Sequence, residues 1–155
     1  MQPAAGLALC FTCSGEPITT EQQAAWGWSD AQLTEQARLA SRDAITASRP
    51  LRQEVHDMPG RHYWLSASGD GLDMAAFLHP EALAAALGGE APVVSVPGSG
   101  TLLAWLPGDQ ELDTVVAVGV KSMHGQAAWP VSDKIYRYQD GEWVVWGETR
   151  RSDPF

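Results

Sequence analysis

Apolar positions along this chain switch between the spacing of a helix and that of a strand, and glycine, proline or a capping residue marks each switch. The segment from Val93 to His124 shows this most clearly. Valines 93, 94 and 96, then Leu102, Leu103, Ala104, Trp105 and Leu106, make two short apolar runs of strand length. Pro97, Gly98, Ser99 and Gly100 form the turn between them. From Asp109 the period changes: Leu112, Val115, Val116, Gly119, Val120 and Met123 recur at three- and four-residue steps, the stripe of an amphipathic helix. Acidic residues open that helix, Lys121 and His124 close it in keeping with the helix dipole, and Gly125 supplies a stop.

The rest of the chain follows the same logic. The opening residues, with LALCF among them, read as an edge strand or a loosely held arm over residues 1–20. Thr19 and Thr20 ahead of Glu21 to Gln23, and Ser29 three residues before Gln32, both read as capping boxes. From Asp30 to about Ser48 a helix carries Leu33, Ala37, Ala40 and Ala44 on one side, with Ile45 beside them, and Pro50 ends it. QEVHDMPGRHYWLS reads as a hairpin about Pro59-Gly60, which sets Val55 opposite Trp64, His56 opposite Tyr63 and Asp57 opposite His62. A glycine-bearing turn at residues 68–71 leads to LDMAAFL as a further strand. PEALAAAL is a helix with proline at its first position, closed by Gly88-Gly89.

The closing hairpin, KIYRYQ-DG-EWVVWG, is the most specific local signal, because Asp-Gly suits a two-residue turn in which both positions need positive φ. With Gln139 opposite Glu142, Tyr136, Tyr138, Trp143 and Val145 share the core face. Ile135, Arg137, Val144 and Trp146 share the partly exposed one. These elements predict an α+β fold over residues 1–155 as a single globular domain. It has a mainly antiparallel sheet, helices covering one face, a β-hairpin at the end and a polar tail at 149–155.

Composition narrows the function classes. The 155 residues are 45% hydrophobic, enough for one core, and the formal charge of −9 argues against duplex nucleic acid or an anionic membrane as partner. Arg38, Arg42, Arg49, Arg52 and Arg61 read as a solvated helix face and its sequel rather than a basic patch. Without a long apolar run or a signal-peptide pattern, the expected address is cytoplasmic. Tryptophan supplies seven of the aromatic residues, an unusual share for a side chain that gathers at core edges and binding surfaces.

Four stretches carry a resemblance to a known family: LTEQARLASRDAI, GDGLDMAAFLHPEALAAALGG, VVSVPGSGTLLAW and PVSDKIYRYQDGEW. In this order, over most of residues 33–143, the chain resembles the YtpQ-like family of uncharacterised bacterial proteins. The resemblance implies a soluble, cytoplasmic α+β protein of bacteria and carries over no catalytic residue. The chain departs from the family at Gly98-Ser99-Gly100, where the family has polar and charged residues after the proline.

Candidate chemistry is sparse. Cys10 and Cys13 have the spacing of a zinc or thiol-redox pair, but there is no second cysteine pair and no helix start at Cys13. In Gly98-Ser99-Gly100 a strand follows where a phosphate cradle needs a helix, so it reads as a plain turn. Asp70 and Asp73 read as solvated turn carboxylates. His62 paired to Asp57, with His124, makes a candidate acid–base site, whereas His79 and His124 also have explanations at helix ends. The expectation is a non-enzymatic protein-interaction domain that needs no cofactor and favours a basic protein partner. Trp64, Trp129, Trp146 and Arg61 are its candidate contact residues.

Overall fold

Six strands form one sheet in the order 51–54, 62–66, 101–105, 93–98, 135–139 and 142–145, every pair antiparallel, in the computed structural model. The structure describes residues 10–13, 16–47, 51–67, 72–88 and 91–146. The expected turn at 68–71, the stops at Pro50 and Gly89, most of the opening segment and the tail at 149–155 lie outside them. A small hairpin of β1 (Thr12–Cys13) and β2 (Glu16–Pro17) precedes two helices, α1 (Thr20–Trp26) and α2 (Asp30–Ala47). Then come β3 (Leu51–Glu54), β4 (His62–Ser66), a 3-10 helix (Leu72–Leu78) and α3 (Pro80–Ala86). β5 (Val93–Gly98), β6 (Thr101–Trp105), α4 (Gln110–Gln126), β7 (Ile135–Gln139) and β8 (Glu142–Val145) complete the chain. The sheet is three hairpins laid side by side, with β4 against β6 and β5 against β7.

The α+β class, the antiparallel sheet and the closing hairpin are those the pattern implies, with Gln139 opposite Glu142. Both capping boxes form. Thr19 Oγ1 accepts from Gln22 N while Gln22 Oε1 accepts from Thr19 N, and Ser29 and Gln32 repeat the exchange. Gly27 takes the left-handed conformation that closes α1.

The helices divide between both faces of the sheet, where the pattern suggested one. On the first face Ala76, Phe77, Leu83 and Leu87 pack on Val94, Val96, Leu102, Ala104, Tyr136 and Trp143. On the second, Leu112, Val116 and Val120 of α4 pack on Val93, Leu103 and Trp105. The central strands require this, because Val93 to Gly98 and Leu102 to Trp105 are buried without alternation. Pro97 is accommodated in this central strand by a register shift between Ser95 and Gly98, at which no ladder amide is needed from it.

Three further expectations change. LDMAAFL is a 3-10 helix rather than a strand, which places Phe77 in the first core and its carbonyl under the indole N–H of Trp143 (2.9 Å). The first hairpin is paired three residues out of the expected register, with Glu54 opposite His62 and Gln53 opposite Tyr63. Residues 55–61 form consecutive turns, Met58 N to Val55 O and Arg61 N to Met58 O, with Asp57 and Gly60 at positive φ. An odd shift exchanges the faces. It moves Val55 off the face of Trp64 and, with Met58, into the core beneath α4. Finally, α4 runs through Gly125 to Gln126 instead of stopping at the glycine.

Candidate functional site

α4 leaves its last turn through Ala127, whose backbone is extended, and the chain then crosses the end of the β5–β6 hairpin. It can come this close because residue 98 is glycine: a Cβ there would stand 2.9 Å from the Cβ of Ala127. Ser99 N donates to Trp129 O (3.0 Å), Val131 N to Pro97 O (3.2 Å) and Ser132 N to Val96 O (3.1 Å), around a bridge between Gly98 and Pro130. Below it, Ser132 Oγ meets Tyr136 Oη at 2.8 Å and Ser95 Oγ donates to Lys134 O at 2.9 Å. From the Trp129 carbonyl onward the backbone is therefore tied to the central strand, and on its other side it leaves the last turn of α4. The Trp129 indole nonetheless stands 76% exposed, the most exposed large apolar side chain among the described residues.

The other candidate contact residues are not part of this surface. Trp64 is half-buried against the first core and Trp146 against the second, edge-to-face on Trp105 at 6.3 Å, so the two lie on opposite sides of the sheet. Arg61 is committed to the start of α4, with Nε 2.6 Å from Asp109 Oδ2 and Nη1 2.6 Å from Glu111 Oε2. The Asp109 carboxyl is held below its ordinary pKa by the amide of Leu112 first, and by Arg61. We expect Arg61→Ala to lower the melting temperature slightly in dilute buffer and to lose that difference in 1 M salt, approximately the limit where screening reaches ion-pair distances; a salt-independent loss would contradict an ionic role.

The histidine and aspartate candidates are not brought together. Asp57 sits beside His56 (3.4 Å, both highly exposed) instead of His62. His62 shares its strand face with Trp64, while His124 is on the helix covering the opposite face. The Nδ1 of His62 is buried without a hydrogen-bond partner among the described residues. Asp73 is not solvated: it is buried and accepts from Ser66 Oγ. Cys10 and Cys13 are exposed and unbridged, with Cys13 in the short β1–β2 hairpin, and no group of three or more metal-ligating side chains occurs among the described residues.

Sequence reading missed the Ser41–His79 contact. His79 was expected to cap α3, but its side chain makes no capping bond and is 2% exposed. Its Nε2 lies 3.1 Å from Ser41 Oγ of α2. Ser41 already gives its single hydroxyl proton to the helix carbonyls of Ala37 (2.8 Å) and Arg38 (3.3 Å), so His79 donates. That polarity is the reverse of a base activating a nucleophile, and both groups are closed to substrate. A shallow groove of about 430 Å³ along α4 is lined by Gly108, Gln110, Thr114, Ala117, Val118, Lys121 and Asp113. Its one carboxylate is engaged by Trp105 Nε1 (2.9 Å) and Gly108 N (3.1 Å).

No family model, curated protein or solved structure matches this chain. Besides Trp129, the geometry offers an exposed aromatic pair at the α1–α2 corner. Trp26 and Trp28 lie 5.2 Å apart and are 42% and 38% exposed, the corner being braced by Gln23 Nε2 on Trp28 O and Asp30 Oδ1. No helix among the described residues is long and apolar enough to cross a membrane.

Proposed function

We propose that this chain is a bacterial, cytoplasmic, non-enzymatic interaction domain that binds a basic protein through Trp129. The reading includes membership of the YtpQ-like family. The observation that carries it is a tryptophan held out in solvent while its own carbonyl and the amides after it are hydrogen-bonded to the central strand. Tryptophan dominates binding energy where it fills a partner's pocket, and a fixed backbone spares the complex the entropy of ordering a loop. The charge of −9 supports a basic partner, since the summed field speeds encounter with positive surfaces and repels acidic ones.

The test compares affinity capture from native extract by the wild-type chain, Trp129→Ala and the Trp26→Ala, Trp28→Ala double variant. The expected result is one stoichiometric basic protein, retained by the double variant, lost with Trp129→Ala and weakened by added salt. Because the Trp129 side chain is largely in solvent, its removal should leave stability within about 0.5 kcal/mol of wild type in a urea melt. Capture indifferent to Trp129→Ala, or no stoichiometric protein with the wild type, would sink the proposal.

A further inference from the structure

We infer that His79 is an acid-released latch holding α2 against the rest of the fold. α2 packs on the 3-10 helix, yet among its described side chains only Leu33 and Ser41 are buried. The polar half of that attachment is the Ser41–His79 hydrogen bond, made by a histidine on the other partner, at the junction of the 3-10 helix and α3. A neutral imidazole fits this site. An imidazolium does not, because it would be buried at the positive end of α3.

The charged groups around His79 are few. α2 contributes Arg38 and Arg42, whose positive charges oppose protonation, and the backbone of Arg38, which accepts a hydrogen bond. Glu35, also on α2, is paired with Arg38 at 2.8 Å. α3 contributes Glu81, which favours the charged ring. On the 3-10 helix the acidic residue is Asp73, engaged by Ser66. Burial is the largest influence and pushes the His79 pKa below its ordinary value of 6.5. Above that value the ring is neutral whether α2 is docked or released, and the latch holds. Below it the released form takes up a proton that the docked form refuses, so docking weakens as pH falls until the docked ring itself titrates.

The test is amide hydrogen exchange between pH 7.5 and 5, corrected for the intrinsic rate, on the whole chain. Protection of α2 amides is expected to fall by up to tenfold per pH unit below the ordinary histidine value, the limit for one proton, while amides of β5 and β6 keep theirs. His79→Gln, which can still donate to Ser41 but does not titrate, should abolish the step. Flat α2 protection, a parallel loss in β5 and β6, or a step that survives His79→Gln overturns the latch. Should that variant fail to fold, the ring titration of wild-type His79 decides by NMR. Its midpoint must fall below that of a free histidine and mark the pH at which the fall in α2 protection levels off, and a ring that titrates as a free histidine overturns the inference.

Discussion

Replacing Trp105 by alanine is expected to destabilise the fold by about 4 kcal/mol, within the range for emptying a large buried aromatic site. Trp105 has no exposed surface and packs in the second core with Val93, Leu112, Val116 and Val120, so α4 cannot close over the space without leaving its own contacts. The substitution also deprives Asp113 of the indole N–H it accepts at 2.9 Å. Urea denaturation followed by circular dichroism measures the loss, and a shift worth less than about 1 kcal/mol would show that the core repacks. Asp113→Ala separates the two contributions. It leaves the indole in place but its N–H unpaired, together with the amide of Gly108, for a cost of about 1–3 kcal/mol, whereas Asp113→Asn keeps an acceptor and should cost less.

Gly98→Ala is the second large effect and bears on function as well as stability. The new methyl would meet the Ala127 Cβ at 2.9 Å, and that atom is fixed to backbone, so the segment carrying Trp129 must move. Overpacking of this kind costs about 1–3 kcal/mol. Ala127→Gly removes the opposing methyl, and the double variant should recover most of the loss, a coupling that a thermodynamic cycle of urea melts reads directly. Additive losses would show that the crossing of the two chains is not the cause. If Trp129 is the contact residue, Gly98→Ala should also weaken partner capture and the double variant should restore it.

The two predictions locate different kinds of constraint. Trp105 is a matter of volume and of a single polar partner, both inside the core. Gly98 is a matter of clearance at the surface, where an absent side chain allows the chain to approach and present another. Neither depends on the latch at His79, which joins α2 to the junction of the 3-10 helix and α3 and is read by a different observable.

Much of the local structure was legible because local chemistry decides it. Asp140-Gly141 adopts positive φ at both positions, and that alone sets the register of the closing hairpin. Thr19 with Gln22 and Ser29 with Gln32 close their capping boxes over four residues, without help from the rest of the fold. The short apolar runs of β5 and β6, interrupted in β5 by Ser95, fit strands covered on both faces. Of the candidate site, Trp129 was legible as an aromatic beyond the last turn of a helix, but its exposure was not.

Period, capping and turn residues by themselves determined the four α-helices, the strand pair at 93–105, the closing hairpin and the α+β class, because each rests on contacts between residues close in the chain. Tertiary structure decided the register of the first hairpin, where burying Val55 and Met58 under α4 outweighed a tight Pro59-Gly60 turn. It also decided the fate of the polar side chains. Arg61 met Glu111 across 50 residues of chain, and His79 met Ser41 across 38. A hydrogen bond or ion pair between such distant residues leaves no period in the sequence, since it depends on how the packed layers bring two surfaces together.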